Sequence, residues 1–222
     1  GFEFMMYSTW YDEIDELTAY IKGLNLCIPV VHVQKSIGEK ISIGGRENFE
    51  EAYRLFELNC NLAKEIGAGK LVMHLWDGKP SDKQFDNNLK AYPVLQGIAE
   101  KYGLDLLVEN VVCNTKDPLN RMCELVKVYP DVHFVFDTKM AAFHSQLDKL
   151  YEPEYAWLWK NGHIRHYHVN DYGGGHMDWA NLRTLPMGKG HVDFARFFEY
   201  IHEIGYDDTF TVESTAFDET GV

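Results

Sequence analysis

The stretch "IRHYHVNDYGGGH", residues 164–176, decides how the rest of the chain is read. Ile164 to Val169 have the β-branched and aromatic content of a buried strand. The strand then runs out into Asn170, Asp171 and three glycines. Side chains alternate along a strand, so His166 and His168 share one face, with His168 nearer the C-terminal end. A buried imidazole needs a polar partner.

Working outward, short apolar runs alternate with longer amphipathic ones. Strands are expected at 2–6, 27–33 ("CIPVVHV"), 70–75 ("KLVMHL"), 104–110 ("LDLLVEN"), 132–137 ("VHFVFD") and 209–214 ("TFTVES"). Helices are expected at 12–24, with Ile14, Leu17, Ile21 and Leu24 on one face, and at 47–66, closed by Gly67. A capping box, Ser81-x-x-Gln84, opens the next helix, in which Pro93 predicts a kink. Asp117-Pro118 starts a helix to Tyr129, another covers 139–150, and Asp193 caps one that ends at Gly205.

A βαβα order predicts a parallel sheet covered by helices, here as one domain. At the far end of successive strands stand His32, His74, Glu109, Asp137, His168 and Glu213. They recur at roughly the 30-residue length of a βα unit. An open sheet could not bring them together. Closed into a (β/α)8 barrel, it gathers them around the C-terminal mouth, where such barrels carry their active sites.

With 222 residues, 45% hydrophobic, the chain can bury one sizeable core. No apolar run reaches the length of about 18 residues needed to span a membrane, and no signal peptide is evident at the start. The net charge of −13 disfavours nucleic acid, whose binders neutralise phosphates with basic patches. The four cysteines, Cys27, Cys60, Cys113 and Cys123, form no C-x-x-C pair and are expected to be reduced and packed in the core of a cytoplasmic protein.

Carboxylates converging on one mouth raise each other's pKa values, and a dication removes the conflict. Glu109, Asp137, Glu213 and one imidazole form an oxygen-rich, one-nitrogen donor set suited to one Mn²⁺, Co²⁺ or Mg²⁺, with zinc as an alternative. His168 is the expected imidazole, with His166 as a packed residue or a partner behind the ligand. His133, at the start of its strand, is expected to be structural. The connection 170–191 is long enough to be functional and is expected to cover the substrate. Its Asn170 and Arg183, with His32 and His74, are the candidate substrate contacts.

These pieces resemble the xylose isomerase-like barrel superfamily of sugar isomerases and epimerases, which also includes endonuclease IV. The matching segments are "VMHLW", "LLVENV", "FVFDT", "RHYHVND", "MGKGHVDF" and "GYDDTFTVES", in the expected order. The resemblance implies one metal on Glu109, Asp137, His168 and Glu213, with the two glutamates also moving protons. It implies a sugar or sugar phosphate substrate and a cis-enediolate.

Three departures qualify it. Met140 stands where the family has a second histidine. The Asp-x-His of the nuclease branch is replaced by "HMD" at 176–178. "GFEFMMYS" resembles the family's second strand, so the first β/α unit is expected to be missing and an edge exposed, which a homodimer could cover. The alternatives are a metal-dependent phosphodiesterase and an inactive sugar-binding barrel.

Overall fold

The structure, a computed structural model, describes residues 1–214. The chain opens with β1 (Glu3–Met5), followed by a 3₁₀ turn and α1 (Ile14–Gly23). Next come β2 (Val30–His32), α2 (Ser36–Ile43) and α3 (Arg46–Glu65), then β3 (Lys70–Met73) and α4 (Phe85–Tyr102). β4 (Asp105–Glu109) leads to α5 (Pro118–Val128), and β5 (His133–Asp137) to α6 (Thr138–Phe143) and α7 (Ala156–Lys160). The last elements are β6 (Ile164–Val169), α8 (Phe194–Glu203) and β7 (Thr209–Val212).

The strands pair in parallel in strict chain order, β1 to β7. Parallel crossovers have one hand, so an order that never reverses lays every helix on the same face. The sheet then curls with its helices outside. The result, among the described residues, is a nearly closed α/β barrel of seven strands, where a full (β/α)8 barrel has eight. Outer strand residues such as Val31, Leu71, Val108 and Phe134 pack with helical Phe56, Leu95 and Leu125 in the main core. Val30, Val72, Leu107 and Val135 form a separate cluster inside the barrel. Two residues further along each of those chains comes a polar side chain facing the same way: His32, His74, Glu109 and Asp137.

One irregularity sets the register of the site. β5 and β6 pair Phe134 with Ile164, but Val135 with His166. Arg165 is the extra residue, and it is exposed. Paired residue for residue through Arg165 the ladder would set Asp137 against Tyr167; because Arg165 is skipped, Asp137 stands opposite His168.

β1 and β7 are the two edges, and no ladder joins them among the described residues. Side chains cross there instead. At the base, Lys70 of β3 donates to the Arg165 carbonyl at 2.9 Å and pairs with Asp208. Higher up, Glu3 of β1 meets Thr211 of β7 and the histidines of β6. A cavity of about 490 Å³ lies along the opening, lined by Phe2, Pro29 and Phe210 among others.

Local expectations fare unevenly. Asp117 caps α5 by accepting from the Asn120 N–H at 2.9 Å, and Asp193 caps α8 through Arg196 at 3.0 Å. The Ser81 capping box does not form. α4 starts at Phe85 without a side-chain cap, and the Ser81 hydroxyl donates to the Val112 carbonyl at 2.8 Å instead. α4 runs helically through Pro93. Pro93 has no N–H for the Leu89 carbonyl, and the Tyr129 hydroxyl donates to it at 2.7 Å. The helix expected at 139–150 ends at Phe143, and α2 and α7 were not anticipated. The strand expected at 27–33 shortens to Val30–His32. All four cysteines are free, but only Cys60 and Cys113 are buried; Cys27 is exposed and Cys123 half-buried, contrary to core packing for all four.

The register argument is testable. Deleting Arg165 leaves Ile164 against Phe134 and His168 against Asp137 in a regular ladder and is expected to keep Mn²⁺ binding in calorimetric titration, whereas deleting Tyr167 turns His168 off the inner face and is expected to abolish it. Arg165→Ala, which keeps the extra residue, is expected to bind within about twofold of wild type, as surface substitutions usually do little.

Candidate metal centre and active site

The inner faces of β2 to β6 deliver their polar ends into one buried cluster. His32, His74, Glu109, Asp137, His168 and Asn170 are all buried. Glu213 follows β7 directly, and its N–H donates to the Val169 carbonyl at 3.1 Å, extending the ladder by one step. Its side chain keeps 26% exposure.

His168 Nδ1 is the centre of the arrangement. It lies 3.3 Å from Glu109 Oε1, 3.2 Å from Glu213 Oε1 and 4.0 Å from Asp137 Oδ2. The four residues read from the strand ends as one donor set are therefore brought together. Glu109, Asp137 and His168 each offer an atom within 4.8 Å of the others. The Asn170 amide donates to both Asp137 Oδ2 and Glu213 Oε2 at 2.9 Å, while its own buried Oδ1 has no partner. Asn110 fixes the ligand strand from the side: its Oδ1 accepts from the Asp137 N–H at 2.6 Å, and its amide donates to the Asp137 carbonyl at 3.1 Å. Asp137 Oδ1 accepts from the Met140 N–H at 2.8 Å, leaving Oδ2 for the cluster.

His32 and His74 face the other oxygen of Glu109. Their Nε2 atoms lie 3.2 Å and 2.9 Å from Glu109 Oε2. Their Nδ1 atoms are engaged behind, by the Val33 carbonyl at 2.8 Å and the Asp77 carboxylate at 2.7 Å. This triad is a second possible donor set, with Glu109 common to both. α2 presses against the end of β3 here: a Cβ on Gly38 would stand 2.0 Å from the His74 carbonyl oxygen.

The electrostatics follow from this crowding. Burial, then Glu109 and Glu213, raise Asp137 to about 6 against the opposing pull of Lys139. Burial works against ionisation of Glu109, but the imidazoles of His168 and His74 outweigh it and hold the acid well below its usual range. Burial likewise disfavours charged His168 and His74, yet their carboxylate neighbours raise both, His74 to about 9. The donor set fits a hard divalent cation: three carboxylates and one imidazole with its other nitrogen engaged, and no thiolate.

The 170–193 connection is tied at both ends by one carboxylate. Buried Asp171 accepts from the N–H groups of Tyr172, Gly190 and Val192 at 2.8, 2.7 and 3.2 Å. A Cβ on Gly190 would lie 2.3 Å from both Asp171 Oδ1 and the Tyr172 carbonyl, so glycine is required there. Trp179 and Leu182 of this loop join His74, Val111, Val112 and Met140 around a pocket of about 330 Å³. Arg183 is exposed on the same loop.

Three side chains of this region were not singled out from the sequence. Glu3 lies behind His168, and its signal was an acid between two aromatics, Phe2 and Phe4, in an expected strand. Asp77 holds His74 from three residues on. Lys139 is buried next to the Asp137 segment. His133 is structural as expected, paired with Asp105 at 2.6 Å on the opposite rim.

Comparison with known proteins agrees with the geometry. The family model described as "Xylose isomerase-like TIM barrel" matches residues 1–220, and the chain belongs to that family. Among curated proteins, none matches. Among solved structures, a D-tagatose 3-epimerase-like protein superposes with a TM-score of 0.69 at 22% identity, covering 96% of this chain and 80% of that one. D-psicose 3-epimerase with D-tagatose, from Clostridium cellulolyticum H10, gives 0.66 at 14% identity, covering 99% and 83%. The IolI protein with a bound zinc gives 0.59 at 16% identity, covering 96% and 89%. At these identities the likeness is one of fold. No helix among the described residues is long and apolar enough to cross a membrane.

The protonation states set the pH dependence of metal binding. A cation must displace the proton that Asp137 retains up to about pH 6, and the proton that His168 holds still more firmly. Mn²⁺ affinity is therefore expected to rise with pH, and to fall below pH 6 by about tenfold per unit or more steeply. An affinity flat between pH 5 and 7.5 in calorimetry would contradict this.

Proposed function

We propose that this protein is a divalent-metal-dependent sugar isomerase or epimerase. The observation that carries the reading is the convergence of Glu109, Asp137 and Glu213 on His168 Nδ1 at the C-terminal mouth of the barrel. The sugar epimerases among the structural neighbours support the substrate class. Glu109, Asp137, His168 and Glu213 would hold one ion, of Mn²⁺, Co²⁺ or Mg²⁺ type. When bound, it supplies Lewis-acid polarisation of a carbonyl and its neighbouring hydroxyl.

The chain's own groups move the proton. Glu213 retains exposure towards the mouth and acts as the base that removes the proton from the carbon beside the carbonyl. Its electron pair passes into a cis-enediolate. Glu109, which also faces His168 Nδ1, would return a proton relayed to it from protonated His74 at its other oxygen, and the proton taken by Glu213 would then be passed back to restore the starting state. Delivery to the opposite face of the same carbon is epimerisation; delivery to the adjacent carbon is aldose–ketose isomerisation. His32, His74 and Asn170 lie within the same cluster to hold substrate hydroxyls, with Arg183 approaching from the loop. Met140, Val111, Val112, Leu182 and Trp179 give the adjoining pocket an apolar wall. Such a wall suits the carbon face of a sugar rather than a further polar anchor.

Glu213→Gln is expected to slow exchange of the substrate's carbon-bound proton with D₂O by about a hundredfold or more, measured by NMR on a panel of ketohexoses. Unchanged exchange would remove Glu213 as the base.

A second reading, metal-assisted phosphodiester hydrolysis, is favoured by one observation only, the His32–His74–Glu109 donor set. Elemental analysis separates the two. The isomerase reading expects one Mn- or Co-type ion per chain, unchanged in His32→Ala. Two or more zinc ions, one of them lost in that variant, would favour hydrolysis.

A further inference from the structure

Glu3 carries a carboxylate that reaches the candidate metal centre, yet the proposed reaction gives it no part. It sits on β1, at the edge of the barrel, yet its carboxylate reaches β6 and β7. Oε1 and Oε2 both lie 3.1 Å from His168 Nε2. Oε2 also lies 3.1 Å from His166 Nε2 and accepts from the Thr211 hydroxyl at 2.5 Å. Its side chain is only 6% exposed.

This places carboxylates on both nitrogens of one ring, Glu3 at Nε2 and Glu109 and Glu213 at Nδ1. A neutral imidazole carries a single N–H. Once a cation displaces the second proton of His168, the N–H that remains belongs on Nε2 beside Glu3, and the Nδ1 lone pair is left on the side of Glu109, Asp137 and Glu213. His166 takes no such place. Its Nδ1 is engaged by the Thr209 hydroxyl at 2.7 Å, and its Nε2 by Glu3 and by the Thr211 hydroxyl at 3.0 Å. It therefore supports Glu3 rather than competing with His168.

We propose that Glu3 is a positioning residue for the metal centre, fixing the tautomer and ring orientation of His168 from across the opening between β1 and β7. This rests on the metal-site reading above. Because β1 and β7 share no ladder, the Glu3 carboxylate is also the link that fastens the ligand-bearing strand β6 to the first strand. A hydrogen-bonded carboxylate behind a ligating histidine makes its free nitrogen a stronger donor, and losing one typically weakens metal binding by about 10–100-fold.

The test uses two variants that fail in different ways. Glu3→Gln keeps the reach and loses the charge; Glu3→Asp keeps the charge and loses the reach. Each is checked for folding by circular dichroism, and Mn²⁺ affinity is measured by calorimetry beside His168→Ala. Both are expected to bind Mn²⁺ at least about tenfold more weakly than wild type. Ring ¹⁵N shifts of His168 in the Zn²⁺-loaded protein are expected to show an Nε2–H tautomer in wild type that loses its single well-defined form in Glu3→Gln. The inference is overturned if either folded variant binds within twofold of wild type while His168→Ala loses binding. It is overturned equally if the wild-type ring carries its proton on Nδ1. If His168→Ala itself binds like wild type, it is the metal-site reading that fails.

Discussion

The interaction on which the site depends is the mutual repulsion of carboxylates gathered around one imidazole. Two like charges 4 Å apart repel by about 4 kcal/mol at an effective dielectric of 20. Glu109 and Asp137 are buried, and Glu213 shares His168 with them. The protein offsets this with what it has: the His168 ring at the centre, the Asn170 amide bridging Asp137 and Glu213, and buried Lys139 beside Asp137. Asp137, raised to about 6 first by burial and then by its acidic neighbours, shows that the offset is incomplete. A dication would complete it, so the donor set and its electrostatics support the same proposal.

Such a cluster persists only because the frame around it is built for other reasons. Strands in strict order force the helices outside, and the main core lies between the two layers. Inside, one apolar layer of Val30, Val72, Leu107 and Val135 seals the barrel beneath the polar one. The inner wall therefore changes from apolar to ionisable within a single side-chain repeat. Where the ladder is open, between β1 and β7, polar side chains take over: Lys70 at the base and Glu3 near the mouth. Edge strands present unpaired backbone groups, and this edge is further apolar, with Phe2 and Val212 exposed.

Glu109 joins the two halves of the site. One oxygen serves His168 and the other serves His32 and His74. The same carboxylate thus belongs to the proposed ion site and to the side where substrate hydroxyls would be held. Met140, with Trp179 and Leu182 of the 170–193 loop, gives the adjoining pocket an apolar lining.

Most of the barrel was legible because its signals are local. Alternation of period two and strand-end polarity depend on neighbours in the chain, and so the six strand-end residues could be named from the sequence. Capping signals were legible at Asp117 and Asp193, where the side chain bonds within its own turn. They misled at Ser81, whose hydroxyl is taken by the distant Val112 carbonyl. Glu3 and Asp77 escaped for related reasons. Glu3 finds its partners more than 160 residues away. Asp77 has a role only once β3 has placed His74 beside it.

The sequence by itself determined the order of elements, the inward face of each strand and the chemical type of each residue at the mouth. The tertiary structure alone decided the skipping of Arg165 by the ladder, which leaves Asp137 against His168, and the sharing of Glu109 between two sets of imidazoles. It also decided the crossing of an open edge by one buried acid. The physical reason is that a side chain's face follows from local backbone geometry, whereas its partner depends on register and closure, which only the assembled sheet fixes.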